Sequence, residues 1–160
     1  MEESELKRAF AAITSFKENP FHPLVWIAGE PIFGENVFIG AMSEVNAVKV
    51  RVEIGDNCDI ASFVSINAAD SHRKTLGIAD DIDRRDIKIE ANVFIGGFCM
   101  VKGGAHIGHH TVVAAGTIVG PGYIPPYSLV YGNPMQVKPG YYKDRVESGV
   151  REKARRGSVG

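Results

Sequence analysis

From residue 89 to residue 124 the chain reads IEANVF, IGGFCM, VKGGAH, IGHHTV, VAAGTI and VGPGYI, each unit opening on Ile or Val. The same phase governs an earlier block. From Ile27 it runs IAGEPI, FGENVF, IGAMSE and VNAVKV, slips at Arg51-Val52-Glu53, and resumes as IGDNCD, IASFVS and INAADS before stopping at His72. Second places are most often Gly. Fifth places are small or β-branched, as at Val37, Ser43, Cys58, Val64, Cys99, Ala105, Thr111 and Thr117.

A period of six matches neither the 3.6 residues of a helical turn nor the simple alternation of a strand. It fits a short strand followed by a sharp corner, with the first residue inward and a small fifth residue near the next corner. Glycine in the second place suits a turn that brings backbone against backbone. Three units make one triangular coil, and coils stack at the inter-strand spacing of roughly 4.8 Å. A β-sandwich accounts for alternation but not for a phase-locked hexad. The expected fold class is therefore all-β, a parallel β-helix.

A single domain over 1–160 is expected. Residues 1–20 hold an N-terminal helix, with Leu6, Phe10, Ile13 and Phe16 on one stripe over 4–18, capping the open end of the coil. The β-helix spans 25–123, and Pro121, Gly122, Pro125 and Pro126 turn it into a tail over 124–160. That tail ends in a short polar helix from Tyr141 to Arg156, with a basic end at 151–156.

The formal net charge is -1, which argues against a general nucleic-acid binder. No apolar run approaches the roughly 20 residues of a membrane span. The acidic start Met1-Glu2-Glu3-Ser4-Glu5 leads into no apolar signal segment, so a cytoplasmic location is expected. Cys58 and Cys99 form no C-x-x-C pair and sit at small-residue places, which reads as buried structural thiols.

Chemistry is to be sought where the repeat fails. Residues 72–88, HRKTLGIADDIDRRDIK, form a charged insertion that leaves the coil after Ile66, rejoins it at Ile89 and opens on a histidine. Hexads, a histidine opening a long loop, further hexads, then Ile124-Pro125-Pro126-Tyr127-Ser128 and Val130-Tyr131-Gly132-Asn133-Pro134 together resemble the hexapeptide-repeat acyltransferases. The likeness covers roughly residues 25–140, and is greatest to the galactoside, maltose and xenobiotic O-acetyltransferase branch.

The resemblance implies a left-handed β-helix, usually a homotrimer with active sites between subunits, and acetyl-CoA as co-substrate with no metal. It implies acetyl transfer to a hydroxyl of a carbohydrate or related small molecule, with His72 as general base. Imidazole, with a pKa near 6.5, suits that task at neutral pH. Asp70 either orients His72 or serves as a turn residue.

By the same resemblance, Gly97, Ala115, Gly120 and Lys138 match positions lining the coenzyme, with Lys102 a second basic candidate. Glu44, Asn46 and Arg73 are the acceptor candidates. Arg73, Arg84 and Arg85 suit a phosphate or carboxylate, but the aspartates at 80, 81, 83 and 86 favour loop ion pairs. The acceptor is expected to be a sugar or nucleotide sugar, with N-acetylation of a nucleotide-linked amino sugar as the alternative.

Two rival functions remain. Gamma-class carbonic anhydrases share the β-helix and hold a metal through three histidines, and His72, His106 and His110 have a comparable spacing, with His109 adjacent. By phase, however, His106 falls in a sixth place and His109 and His110 in a third and fourth, which points them apart. A non-catalytic scaffold would keep the hexads but need no histidine at the loop mouth.

Overall fold

First-place side chains turn inward and make the core. Ile39, Ile60, Ile95, Ile107 and Val119 are each 1% exposed or less. The computed structural model describes residues 2–14 and 18–149, and its strands form three faces of a parallel solenoid. The first face carries Trp26–Gly29, Glu44–Ala47, Ser65–Asn67, Met100–Lys102 and Ile118–Val119. Ile32–Phe33, Val52–Ile54, Ile87–Ile89, Ala105–Ile107 and Gly122–Ile124 form the second. Phe38–Ile39, Asp59–Ile60, Phe94–Ile95, Val112–Val113 and Leu129–Tyr131 form the third, where Gln136–Lys138 adds an antiparallel edge strand.

The coil length is legible in the pairing. Trp26 stands opposite Glu44 and Met100 opposite Ile118, in each case 18 residues on. Two coils are longer. Glu44 pairs with Ser65 after 21 residues, and Ser65 with Met100 after 35. Both excesses fall at the corner between the first and second faces, so the slip near Arg51 and the insertion are neighbours in space.

Corner chemistry divides between two hexad places. At second-place Gly40 and Gly96, an added Cβ would lie 2.5 and 2.6 Å from the backbone nitrogens of Ser62 and Ala115, so the glycine permits close stacking. The turn itself is made by the fourth place. There Asn36, Asn57 and Asn92 have φ of 53, 55 and 58°, and Met42, Phe63 and Phe98 have φ of 63, 60 and 59°. Asparagine tolerates this left-handed backbone, whereas bulky residues are strained in it by of order 1–3 kcal/mol. Fifth-place Cys58 and Cys99 are buried, and their thiols donate to the carbonyls of Glu90 and Ala114 at 3.1 Å each. Burial pushes both thiols up from their ordinary value.

Both ends of the solenoid differ from expectation. The N-terminal helix is Glu3–Ile13, opened by a reciprocal bond pair between Glu2 and Glu5. Its Leu6 and Ile13 are 47% and 82% exposed, while Phe10 is half-buried and Lys7 lines a cavity with Phe21, Val37 and Ile39, so the helix covers the coil end only in part. The segment after it completes the cover: Phe21 packs edge-on against Phe33 with centroids 4.9 Å apart, and Asn19 anchors the turn through the Val25 carbonyl. Phe16 is outside the described residues.

At the other end the stack continues past residue 123, because Ile124 and Val130 are 2% and 0% exposed. IPPYSL is itself a hexad, with proline's fixed φ accommodated at the corner and Tyr127 in the left-handed fourth place. Residues 143–149 are helical, and the basic run at 151–156 is outside the described residues. No helix among the described residues is long and apolar enough to cross a membrane.

Candidate active site at an opened corner

At the corner between the first and second faces, asparagines at strand ends turn the chain outward. Asn46 Oδ1 accepts the Val48 N–H at 3.2 Å, and one coil later Asn67 Oδ1 accepts the Ala69 N–H at 3.0 Å. In the second case the chain leaves altogether. Ala69–Asp70 pairs antiparallel with Asp83–Arg84, closing the excursion at its base, and a four-residue helix, His72–Thr75, forms just beyond. The Arg85 N–H then donates to the Ala68 carbonyl at 3.1 Å, and Ile87, 1% exposed, re-enters the core. The insertion is thus a structured flap that rejoins at Ile87, two residues before the expected Ile89.

His72 stands where this flap begins. Asp70 performs both tasks that its position allows. Its Oδ1 accepts the His72 backbone N–H at 3.1 Å and lies 2.6 Å from His72 Nδ1. An ionised carboxylate can only accept, so Nδ1 carries a hydrogen, and in the neutral ring Nε2 keeps its lone pair. The bond from the His72 ring, joined by the one from its backbone, holds the Asp70 carboxyl below its ordinary value. Lys102 Nζ lies 3.9 Å from the other Asp70 oxygen. A cavity of about 190 Å³ opens here, lined by Asn67, Asp70, His72, Asp83, Arg85 and Lys102 among others.

The remaining site candidates do not all gather at this corner. Asn46 reaches it indirectly, in an outward row with Asn67 and Lys102. Glu44 belongs to the next row. Its Oε1 accepts a 2.5 Å bond from Ser65, and it faces a separate cavity of about 510 Å³ walled by Trp26, Met42, Phe63 and Phe98. Phe63 and Phe98 are stacked there with ring planes 4° apart.

Arg73 sits 3.7 Å from Asp83, the loop ion pair that the charge pattern favours, whereas Arg84 and Arg85 have none among the described residues. Gly97 and Ala115 lie in consecutive coils at the corner between the third and first faces, linked where Gly116 N–H donates to the Gly97 carbonyl at 2.9 Å. Gly120 lies at the opposite end of the first face, with open space around it. Lys138 lies on the edge strand, its ammonium 5.3 and 5.9 Å from the rings of Tyr131 and Tyr141. Asn67 was not singled out by the sequence, although it repeats Asn46 one coil on.

The other histidines are engaged elsewhere. His106 Nε2 is 2.7 Å from Glu90 Oε1, and the His109 N–H donates to Glu90 Oε2 at 3.0 Å. Burial pushes Glu90 up, but these bonds outweigh it and its carboxyl lies below the ordinary value. Among the described residues, no group of three or more His, Cys, Asp or Glu is disposed to hold a metal.

Two family models match the chain: "Bacterial transferase hexapeptide (six repeats)" over residues 86–121, and "Hexapeptide repeat of succinyl-transferase" over 32–68. A maltose O-acetyltransferase from Clostridium difficile 630 superposes with a TM-score of 0.62 at 25% identity, covering 86% of this chain and 85% of that one. A galactoside acetyltransferase solved with coenzyme A gives 0.55 at 27% identity, covering 76% and 65%. The chain belongs to the hexapeptide-repeat acyltransferase family. A further structure, the polySia-specific acetyltransferase NeuO, is 30% identical with a TM-score of 0.61 over 69% of this chain. This hexapeptide-repeat chain spans about half of NeuO, covering 48% of it. A search of curated proteins finds no match.

Proposed function

We propose that the chain is an acetyl-CoA-dependent O-acetyltransferase acting on a hydroxyl of a carbohydrate or related small molecule, with His72 as general base. The observation that carries this proposal is the His72–Asp70 pair at the cavity mouth. An imidazole anchored through Nδ1–H presents a basic Nε2, which is what removal of a hydroxyl proton requires. As the acceptor oxygen attacks the thioester carbonyl, its proton passes to His72 Nε2. Collapse of the tetrahedral adduct breaks the carbon–sulfur bond, and the imidazolium returns the proton to the departing thiolate. The thioester is already activated, so no acyl-enzyme is needed.

Asp70 stabilises the transient imidazolium as well as orienting the ring. Asn46 and Arg73 border the acceptor through the row and the flap described above, with Glu44 further along the same face. Gly97, Ala115, Gly120 and Lys138 are proposed for the coenzyme. They lie on two corners and an edge strand, an arrangement that suits a groove completed by a neighbouring copy in a homotrimer. The small residues leave room for a thin pantetheine arm. A cytoplasmic location supplies acetyl-CoA.

Support also comes from the solved relatives, whose names are those of maltose, galactoside and polySia acetyltransferases. Calorimetric titration with coenzyme A, followed by thiol release from acetyl-CoA over a panel of sugars, amino sugars and nucleotide sugars, tests the proposal. Saturable coenzyme binding with release on a hydroxyl acceptor is expected. Failure to bind coenzyme A sinks the proposal.

A further inference from the structure

The opened corner holds more positive charge than its own carboxylates engage. Among the groups lining the cavity, Asp70 is committed to His72 through two bonds. Asp83 faces the Arg73 guanidinium at 3.7 Å. Lys102 is ion-paired with Asp70 at 3.9 Å but makes no hydrogen bond to it, so its three donors stay open to a further anion. Arg85 has no ion pair or side-chain hydrogen bond among the described residues.

Arg85 is also well placed. Its N–H is fixed on the Ala68 carbonyl at 3.1 Å, and its Cδ passes Gly104 of the next coil so closely that a Cβ there would lie 3.3 Å away. Arg85 is exposed and its guanidinium keeps its charge at neutral pH, so it is open to an anion from outside.

We propose that the acceptor taken at this corner carries a carboxylate or phosphate, bound by Arg85 and Lys102 beside His72. This rests on the transferase proposal. The same anionic chemistry exists on coenzyme A, but its phosphates are separated from the thioester by the whole pantetheine arm. The base works within hydrogen-bond reach of the acceptor hydroxyl. A group sharing the small cavity with His72 therefore belongs to the acceptor.

The test uses the full chain and inorganic phosphate as probe, with the His72 imidazole resonances as reporter. Phosphate is expected to shift them saturably, and to do so equally with coenzyme A present in excess. Arg85→Gln is expected to weaken the apparent affinity by about 10-fold or more, as loss of a charge-assisted bond requires, and Lys102→Gln by less. In turnover, the ratio of kcat/KM for glucuronate over glucose falls by a similar factor in Arg85→Gln. Absence of a His72 shift, equal affinity in both variants, or displacement of phosphate by coenzyme A overturns the proposal. Failure of the transferase proposal registers separately, as lack of coenzyme binding in its own titration.

Discussion

Two corners of this solenoid are cut from the same repeat and end as different things. The corner between the second and third faces is closed in every coil, and its fourth places are Asn36, Asn57, Asn92, His110 and Tyr127, all in the left-handed region. The corner between the first and second faces is opened twice, by the short excess near Arg51 and by the flap that starts at Ala69. Each corner carries histidine. At the closed one His109 and His110 lie Nδ1 to Nδ1 at 2.9 Å, beside Tyr127 and under the Glu90 network. At the opened one His72 spends a single nitrogen on Asp70 and keeps the other. The lesson is that the repeat tolerates a long detour because register resumes afterwards, and the detour presents a histidine with one ring nitrogen unspent.

The comparison is most sharply tested on stability by glycine. Gly108 at the closed corner would place an added Cβ 2.6 Å from the Pro126 nitrogen, whereas Gly120, which follows the edge strand of the first face, has nothing within 4 Å. Gly108→Ala is expected to lower stability by about 1–3 kcal/mol, and Gly120→Ala by no more than about 0.5 kcal/mol, read from denaturant midpoints. Equal effects would mean that the coil stacked over Gly108 does not set the cost of the added methyl group.

A smaller effect is expected at Asp70. Asp70→Asn keeps an oxygen for the turn but removes the charge that favours the imidazolium, so kcat/KM falls by about 10-fold; both groups are more than a third exposed, which limits the effect. The carboxyl lies below its ordinary value of 3.8 when folded, so the stability it lends is present above that value. That stability is lost as pH falls through the lowered pKa, and acid unfolding of the Asn variant lacks this component.

The smallest effect belongs to His110. Burial, aided by His109, lowers its pKa below the ordinary 6.5, so the unfolded chain binds the proton more readily. Stability is therefore lost as pH falls from about 6.5 toward the lowered pKa. His110→Asn, which installs the residue used at three equivalent places, should flatten that slope by a fraction of a kcal/mol. An unchanged slope would remove His110 from the account.

Much of this was legible in the sequence, because burial alternates with the hexad and first-place Ile and Val mark the core directly. The left-handed fourth place was legible only where Asn36, Asn57 and Asn92 stand, since Met42, Phe63 and Phe98 fill the same place at the next corner with residues that do not announce it. Prolines 125 and 126 read as a stop, yet their fixed φ fits a corner, so the stack runs further than they suggest. His72 was legible as the point where phase is lost. Asp70 stood equally as turn and orienting group, and only the fold revealed that one oxygen serves both. Lys102 and Arg85 come to line one cavity with His72 where the flap returns to the coil, and no local pattern encodes that meeting.

The central claim is that the opened corner is where the reaction happens, and paired histidine variants test it most directly. Thiol release from acetyl-CoA with an accepted sugar would be measured for the wild type, His72→Ala and His110→Ala, with unfolding midpoints recorded for each. The account predicts that His72→Ala loses about 10²- to 10⁴-fold in kcat/KM while its midpoint holds, and that His110→Ala keeps its rate. Full activity in His72→Ala, or an equal loss in His110→Ala, would contradict it.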